Sequence, residues 1–580
     1  MDIKKAFYEI RVIENFKQLI EQSAALFPGR PAFRLKDKNG GFYDITYPVL
    51  LHTVHSLAQA IADIGIGRKK IAIIGNNSYN WCCTYLAITF GAGVVVPIDK
   101  ELPAEEVANI LNLSGACAVF FDDSQGQKIT EIMDKLSEDM LYYAFDNTED
   151  EGKFLSYDKL LSSGKATLDN GGDTVKNIPI DKDELAALLF TSGTTGVAKG
   201  VMLSQYNICS DIMLLSGVVK IYPEDVLLSI LPLHHTYECS LSFLMLMYSG
   251  GCVCFCEGLR HFQRNMQEYQ PTIFVTVPLL LEKVHARIIK KASENRVSKL
   301  AFSVGKALSS ATSAIGVNIN ERIFAEVSKN FGGKIRLIIT GAAAISPHVV
   351  KDFKTFGMPV YLGYGLTECS PLVIGNHDRL QLADSVGEPL PGVSVKIKNP
   401  DTKGIGEILI KGPMVMLGYY NDKEATDAVF DEDGWFCTGD LGSVDENGHY
   451  RIVGRIKNVI VTKNGKNIYP EEVEYYLNRH PFISESIVFG AEDDENNDDA
   501  SIQAKILPNI EAITDKFKNQ TPSKEEIFKA ISSAVREVNK KLPHYKNIRH
   551  FDIREIDFLR TTTNKIKRHA NLNDSENNSK

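Results

Sequence analysis

The ten residues TSGTTGVAKG at 191–200 gather four hydroxyl side chains, three glycines and one lysine. Hydroxyl and amide N–H groups on a glycine-loosened loop can surround phosphate oxygens, and the lysine adds the charge those oxygens need. The segment is not a Walker A loop, because no Gly-Lys-Ser/Thr closes it. Alone it also fits a polar turn. The other chemically capable residues are ambiguous one at a time: Glu368 reads as an acid at a helix start, Asp440 after Gly439 as a turn residue, and the basic run RTTTNKIKR at 560–568 as a solvated tail. Adjacent His234 and His235 read first as a hydrogen-bonded helix start.

The elements that must hold these residues are legible in the hydrophobic pattern. LAALLF directly precedes the loop as a strand-like run, and from about residue 50 to 460 runs such as IAIIG, GVVVPID, ACAVFFDD, TIFVTVP and IRLIIT alternate with helical patterns. That rhythm predicts an α/β fold of stacked, mostly parallel sheets flanked by helices. Residues 454–466 are dense in Gly, Lys and Asn, and a smaller α+β segment follows, with strands near ESIVFG and SIQAKILP and a helix near KEEIFKAISSAVREVNKKL. The expectation is a large N-terminal domain over 1–454, a small C-terminal domain over 455–570 and a disordered tail over 571–580. AEDDENNDDA reads as a solvated loop.

Composition closes off several function classes. A net charge of -9 over 580 residues argues against a nucleic-acid partner. The ten cysteines match neither common zinc spacings nor a secreted disulfide framework, and read as reduced thiols. The N-terminus lacks the apolar core of a signal peptide. The most apolar stretch, 241–256, is interrupted by Gly250 and Gly251 and is shorter than the roughly 20 residues of a membrane span. It predicts a buried helix followed by a strand, and the chain as a whole a cytoplasmic protein.

TSGTTGVAKG, followed in order by LPLHHTYE ending at Glu238, GAA at 341–343, YLGYGLTE ending at Glu368, WFCTGD ending at Asp440, YRIVGR ending at Arg455, KNGKNIYPEE and RTTTNKIKR, resembles the adenylate-forming superfamily of acyl-CoA synthetases, peptide-synthetase adenylation domains and luciferase. The matches run from GAGVVVPID at Gly91 nearly to the end. The resemblance implies a phosphate loop of Thr191, Ser192, Gly193, Thr194, Thr195 and Gly196 with Lys199. It implies a nucleotide site completed by Gly341, Ala342, Ala343, Tyr364, Gly365, Leu366 and Thr367, with Tyr364 stacked on adenine and Thr367 at the α-phosphate. Glu368, with Thr191, would hold Mg²⁺; Asp440 and Arg455 would hold the ribose, and His235 would line the acyl pocket. Lys457 matches the hinge of a mobile C-terminal domain, and Lys565 the catalytic lysine that domain carries. Ala198 stands where the family pattern has proline, and Thr562 and Asn564 replace proline and glycine near Lys565; Asn tolerates the left-handed backbone glycine would supply.

The activity so implied joins a carboxylic acid to AMP and passes the acyl group to the thiol of coenzyme A, with ATP, Mg²⁺ and coenzyme A as cofactors or co-substrates. The 63-residue interval from Pro278 to Gly341 resembles bacterial long-chain fatty acid–CoA ligases, so a medium- to long-chain fatty acid is the expected acid. Residues 281–306 carry seven Lys or Arg against two Glu, which could attract an acyl carrier protein or the inner face of a membrane, or form one solvated helix face. Rival readings are a fatty acyl-AMP ligase serving a carrier protein and, more distantly, a non-catalytic nucleotide-binding relative.

Overall fold

The computed structural model describes residues 6–192, 198–292, 324–461, 467–491, 501–517, 521–560 and 566–572. It forms two compact units: one takes in 1–395, 410–436 and 448–450, the other 396–409, 437–447 and 451–580. The chain thus passes between units several times, where the sequence suggests a single boundary at 454.

The first unit is built on two sheets. One has nine strands and runs in parallel register through Cys252–Phe255, Val226–Ser229, Ile273–Thr276, Leu337–Thr340 and Val360–Gly365, then turns antiparallel at Leu372–Gly375. The other has eight strands. Val94–Ile98, Lys70–Ile74, Ala118–Phe121 and Leu141–Ala144 are parallel, and its far edge is the antiparallel set Leu185–Ser192, Ala198–Ser204 and Gly418–Tyr419. Every parallel strand named in the sequence reading falls inside one of these ladders.

Helix Tyr79–Phe90 shows why the sheets stay together. Its sequence, YNWCCTYLAITF, is apolar all round, and residues 81–90 are buried without a solvent face, the pattern of a fully enclosed helix. It packs on strands Lys70–Ile74 and Val94–Ile98 of one sheet, while Tyr79 meets Phe33 of the other edge-to-face at 5.3 Å. Gln205–Ser216 is likewise buried along its length. The apolar stretch at 241–256 is a helical segment, partly π-helical, followed by strand Cys252–Phe255. Among the described residues no helix is long and apolar enough to cross a membrane. Helix Pro278–Ala292 turns Leu281, Val284 and Ile288 to the core and leaves Lys283, Arg287, Lys290 and Lys291 exposed.

In the second unit, Ile483–Ala491, Ser501–Pro508 and His550–Ile553 make a three-stranded sheet covered by helix Lys524–Asn539. That helix opens on a capping box, Ser523 with Glu526, and buries Ala530, Ile531, Ala534, Val535 and Val538, one stripe at helical spacing. The same unit holds most of each of the sheet strands Ser394–Lys398, Gly406–Lys411, Phe436–Val444 and Tyr450–Arg455.

Candidate active site

Strand pairing positions the first group of candidate residues. Leu185–Ser192 and Ala198–Ser204 pair with Thr191 opposite Lys199 and Ser192 opposite Ala198. Thr191 Oγ1 donates to the Lys199 carbonyl at 3.5 Å. Gly193, Thr194, Thr195 and Gly196 lie outside the described residues. On the other side of Ala198–Ser204 sits the short edge strand Gly418–Tyr419, with Tyr419 opposite Val201.

That edge strand sets an aromatic ring between opposite charges. Lys199 Nζ stands 5.0 Å from the centroid of the Tyr419 ring, and the Tyr419 hydroxyl donates to Glu368 Oε1 at 2.9 Å. The electron-rich ring face attracts the ammonium, while the phenol O–H orients the carboxylate by donating to it. Lys199 and Glu368 are therefore held by one side chain through different parts of it. No motif string singles out Tyr419; its role follows from the pairing of strands more than two hundred residues apart.

Glu368 lies in the turn Thr367–Cys369, directly after strand Val360–Gly365. Met416 N donates to its carbonyl at 2.8 Å, and Leu366 N to that of Pro371 at 2.9 Å. Gly365 is required here: a Cβ would fall 1.9 Å from the Pro371 carbonyl oxygen. Gly341 answers a similar constraint, since a Cβ would approach the Gly363 oxygen to 2.9 Å. Beside it Ala342 has φ +70 and, with Ala343, is exposed, whereas Tyr364 is buried. Glu368 and Thr191 both offer hard oxygen donors, the kind Mg²⁺ takes. Tyr419 occupies one carboxylate oxygen and the other is the donor a hard cation would use.

His235 does cap a helix start, preceding Thr236–Glu238, with its carbonyl accepting from Cys239 N at 2.9 Å. Its ring packs on His234 at 4.0 Å between centroids. Behind this turn Glu238 is fully buried and accepts from Ser229 Oγ at 2.6 Å and Ser242 Oγ at 2.8 Å. Burial raises its carboxyl to about 7 against the lowering effect of those hydroxyls.

The second unit carries the other group. Arg455 Nε meets Asp440 Oδ1 at 2.8 Å, with the Asp440 side chain 8% and the Arg455 side chain 54% exposed. Gly439, at φ +68, turns the chain so that Asp440 N donates to Thr438 Oγ1 at 3.0 Å. Lys457 is exposed in the turn Ile456–Asn458, and Asn458 Nδ2 ties that turn to Glu471 Oε1 at 2.6 Å. Lys565 lies outside the described residues, but both sides of its segment are anchored. Arg560 bridges Ile566, Lys567 N donates to the Leu559 carbonyl at 2.9 Å, and Arg568 binds Glu474 through contacts of 2.6 and 2.8 Å.

Comparison with known families matches residues 20–420 to the AMP-binding enzyme family and 457–577 to the AMP-binding enzyme C-terminal domain. The chain belongs to the AMP-binding enzyme family. Among its curated relatives, long-chain-fatty-acid–CoA ligase FadD15 of Mycobacterium tuberculosis is 28% identical over 569 residues, covering 91% of this chain and 90% of the relative. Long-chain-fatty-acid–CoA ligase 6 of Mus musculus is 30% identical over 464 residues, covering 74% of this chain and 65% of the relative. The fold is that of ATP-bound MatB from Rhodopseudomonas palustris, with a TM-score of 0.72 at 24% identity over 96% of this chain and 98% of that one. Family membership makes this an acid–thiol ligase that uses ATP and coenzyme A.

Proposed function

We propose that this chain converts a long-chain fatty acid, with ATP and coenzyme A, into the acyl-CoA thioester, AMP and pyrophosphate. The observation that carries the reading is the Lys199–Tyr419–Glu368 arrangement, a cation and a carboxylate held next to the phosphate-loop strands. Triphosphate chemistry needs such a pair: an ammonium for phosphate oxygens and a carboxylate for their counter-ion. The names of the curated relatives support the long-chain acid.

In the first step a carboxylate oxygen of the acid bonds to the α-phosphorus and the bond to pyrophosphate breaks. Lys199 and the loop hydroxyls would draw charge from the departing pyrophosphate. Mg²⁺, held by Glu368 with Thr191, would supply further neutralisation of phosphate charge when bound. Tyr364, Ala342 and Ala343 would orient the base, and Asp440 would accept from the ribose hydroxyls while Arg455 fixes the direction of that carboxylate. The resemblance assigns Lys565 to this step alone. In the second step the coenzyme A sulfur bonds to the acyl carbon, the bond to AMP breaks, and the thiol proton is lost to solvent.

The test is a panel of acids of increasing length, assayed with Mg²⁺, ATP and coenzyme A. AMP, pyrophosphate and acyl-CoA should form, with the highest kcat/KM on long chains. ADP and phosphate would overturn the reaction class, a preference for acetate or aromatic acids the substrate, and turnover only with a carrier protein the acceptor.

A further inference from the structure

At the carboxyl ends of both large sheets a second set of donors converges. Asp99 follows strand Val94–Ile98 of the eight-stranded sheet, while His234 and His235 follow strand Val226–Ser229 of the nine-stranded sheet. One ligand atom from each of the three lies within 4.8 Å of the other two. His234 Nε2 stands 3.3 Å from Asp99 Oδ2, both side chains being 8% exposed, and Asp99 Oδ2, His234 Nε2 and His235 Nε2 are all shielded from solvent. The turn is stapled where it is: Asn77, just past strand Lys70–Ile74, donates to the Leu231 carbonyl at 2.7 Å and accepts from Leu233 N at 3.0 Å.

We infer that Asp99, His234 and His235 form a transition-metal site of the Zn²⁺ class, separate from the Mg²⁺ chemistry of Glu368. Two imidazoles and a carboxylate suit Zn²⁺, Co²⁺ or Ni²⁺, whereas Mg²⁺ prefers an all-oxygen shell. Bonds of about 2.0–2.2 Å in a tetrahedral shell put donors about 3.4 Å apart. The His234–Asp99 pair already has that spacing, and His235 offers a ligand atom within 4.8 Å of both. A gap of about 10 Å³ bordered by Pro97, Leu189, Leu233 and His234 adjoins the cluster. That is about the room of one water, a fitting fourth ligand. The bound ion would clip the two sheets together and fix His235. Metals of this class should therefore stabilise the protein and inhibit its turnover. The metal-binding claim does not depend on which acid the chain activates.

The probe is Co²⁺ titrated into the full chain without substrates, read by its visible ligand-field absorption and by the thermal unfolding midpoint. The wild type should develop one saturable four-coordinate spectrum and a raised midpoint, both reversed by Zn²⁺ competition on the spectrum and by chelator on the midpoint. His234→Gln, His235→Gln and Asp99→Asn should each weaken the site at least about tenfold. Should one variant fail to fold, the other two decide. No saturable spectrum in the wild type, or the same spectrum in every folded variant, would overturn the site and leave Asp99 and His234 as a plain polar contact.

Discussion

The two units hold their candidate site carboxylates by opposite means. Asp440 of the second unit is nearly buried and meets its cation directly, Arg455 Nε at 2.8 Å. Glu368 of the first unit meets no arginine or lysine at hydrogen-bond distance among the described residues; a neutral phenol grips it, and Lys199 rests on that phenol's ring. A direct ion pair fixes a carboxylate's direction and offsets much of its charge. A phenol fixes direction while leaving the charge to act on something else. The difference matches the tasks proposed for them: Asp440 recognises neutral hydroxyls, whereas Glu368 has to attract a cation.

The largest effect that contrast predicts is at Glu368. Glu368→Gln keeps the shape and the Tyr419 contact but removes the charge, so acid-dependent pyrophosphate exchange should fall by about a hundredfold or more. Near-normal exchange would erase the distinction between the carboxylates. Next, Lys565→Ala should abolish most adenylation yet still turn a supplied acyl adenylate into acyl-CoA at close to the normal rate. Equal loss in both half-reactions would remove Lys565 from its assigned role. Asp440→Ala should act through binding, raising KM for ATP by about 10- to 100-fold, the scale of a hydrogen bond to a charged group. A loss confined to kcat would show that Asp440 is not a binding group.

Tyr419→Phe sharpens the comparison, because it keeps the ring under Lys199 and deletes only the hydroxyl. A loss of about 2- to 10-fold is expected, together with a higher Mg²⁺ requirement. An unchanged Mg²⁺ dependence would make Tyr419 a packing residue. The smallest effect is on stability. Glu238 holds its proton in the folded protein up to about pH 7, against an ordinary value of 4.5. Its contribution is therefore complete below pH 4.5 and is lost as pH rises through 7. Glu238→Gln, which cannot titrate, should show a shallower decline of the unfolding midpoint across that window. Parallel curves for the two proteins would place Glu238 outside the pH response.

Most strands and the motif residues are legible in the sequence because both depend on local patterns. Runs such as IAIIG and IRLIIT are apolar enough to be central strands wherever they fall, and both do lie in ladders. Glu368 by itself reads as an acid at a helix start, and it sits in the short helical turn Thr367–Cys369 that follows strand Val360–Gly365. What local pattern cannot show is which distant segment arrives beside it. Tyr419 is one tyrosine of an ordinary GYYND run, and only the edge pairing with Val201 gives it a purpose. The loan of 396–409 and 437–447 to the second unit is hidden for the same reason, since those strands read like their neighbours. Asp99 and His234 come from separate sheets, and nothing in either motif points to the other.

The edge pairing has a further consequence for synthesis. Strand Ala198–Ser204 leaves the ribosome long before Gly418–Tyr419, the strand that covers its outer side. At about 5–20 residues per second, the wait from residue 201 to residue 419 is roughly 10–40 s. During that time a nascent chain presents an unpaired strand edge, the kind that recruits other chains. The half-made protein thus passes through an association-prone state while strand Ala198–Ser204 is uncovered on that side. Slowing translation between these two points should lower the soluble yield more than an equal delay after residue 419.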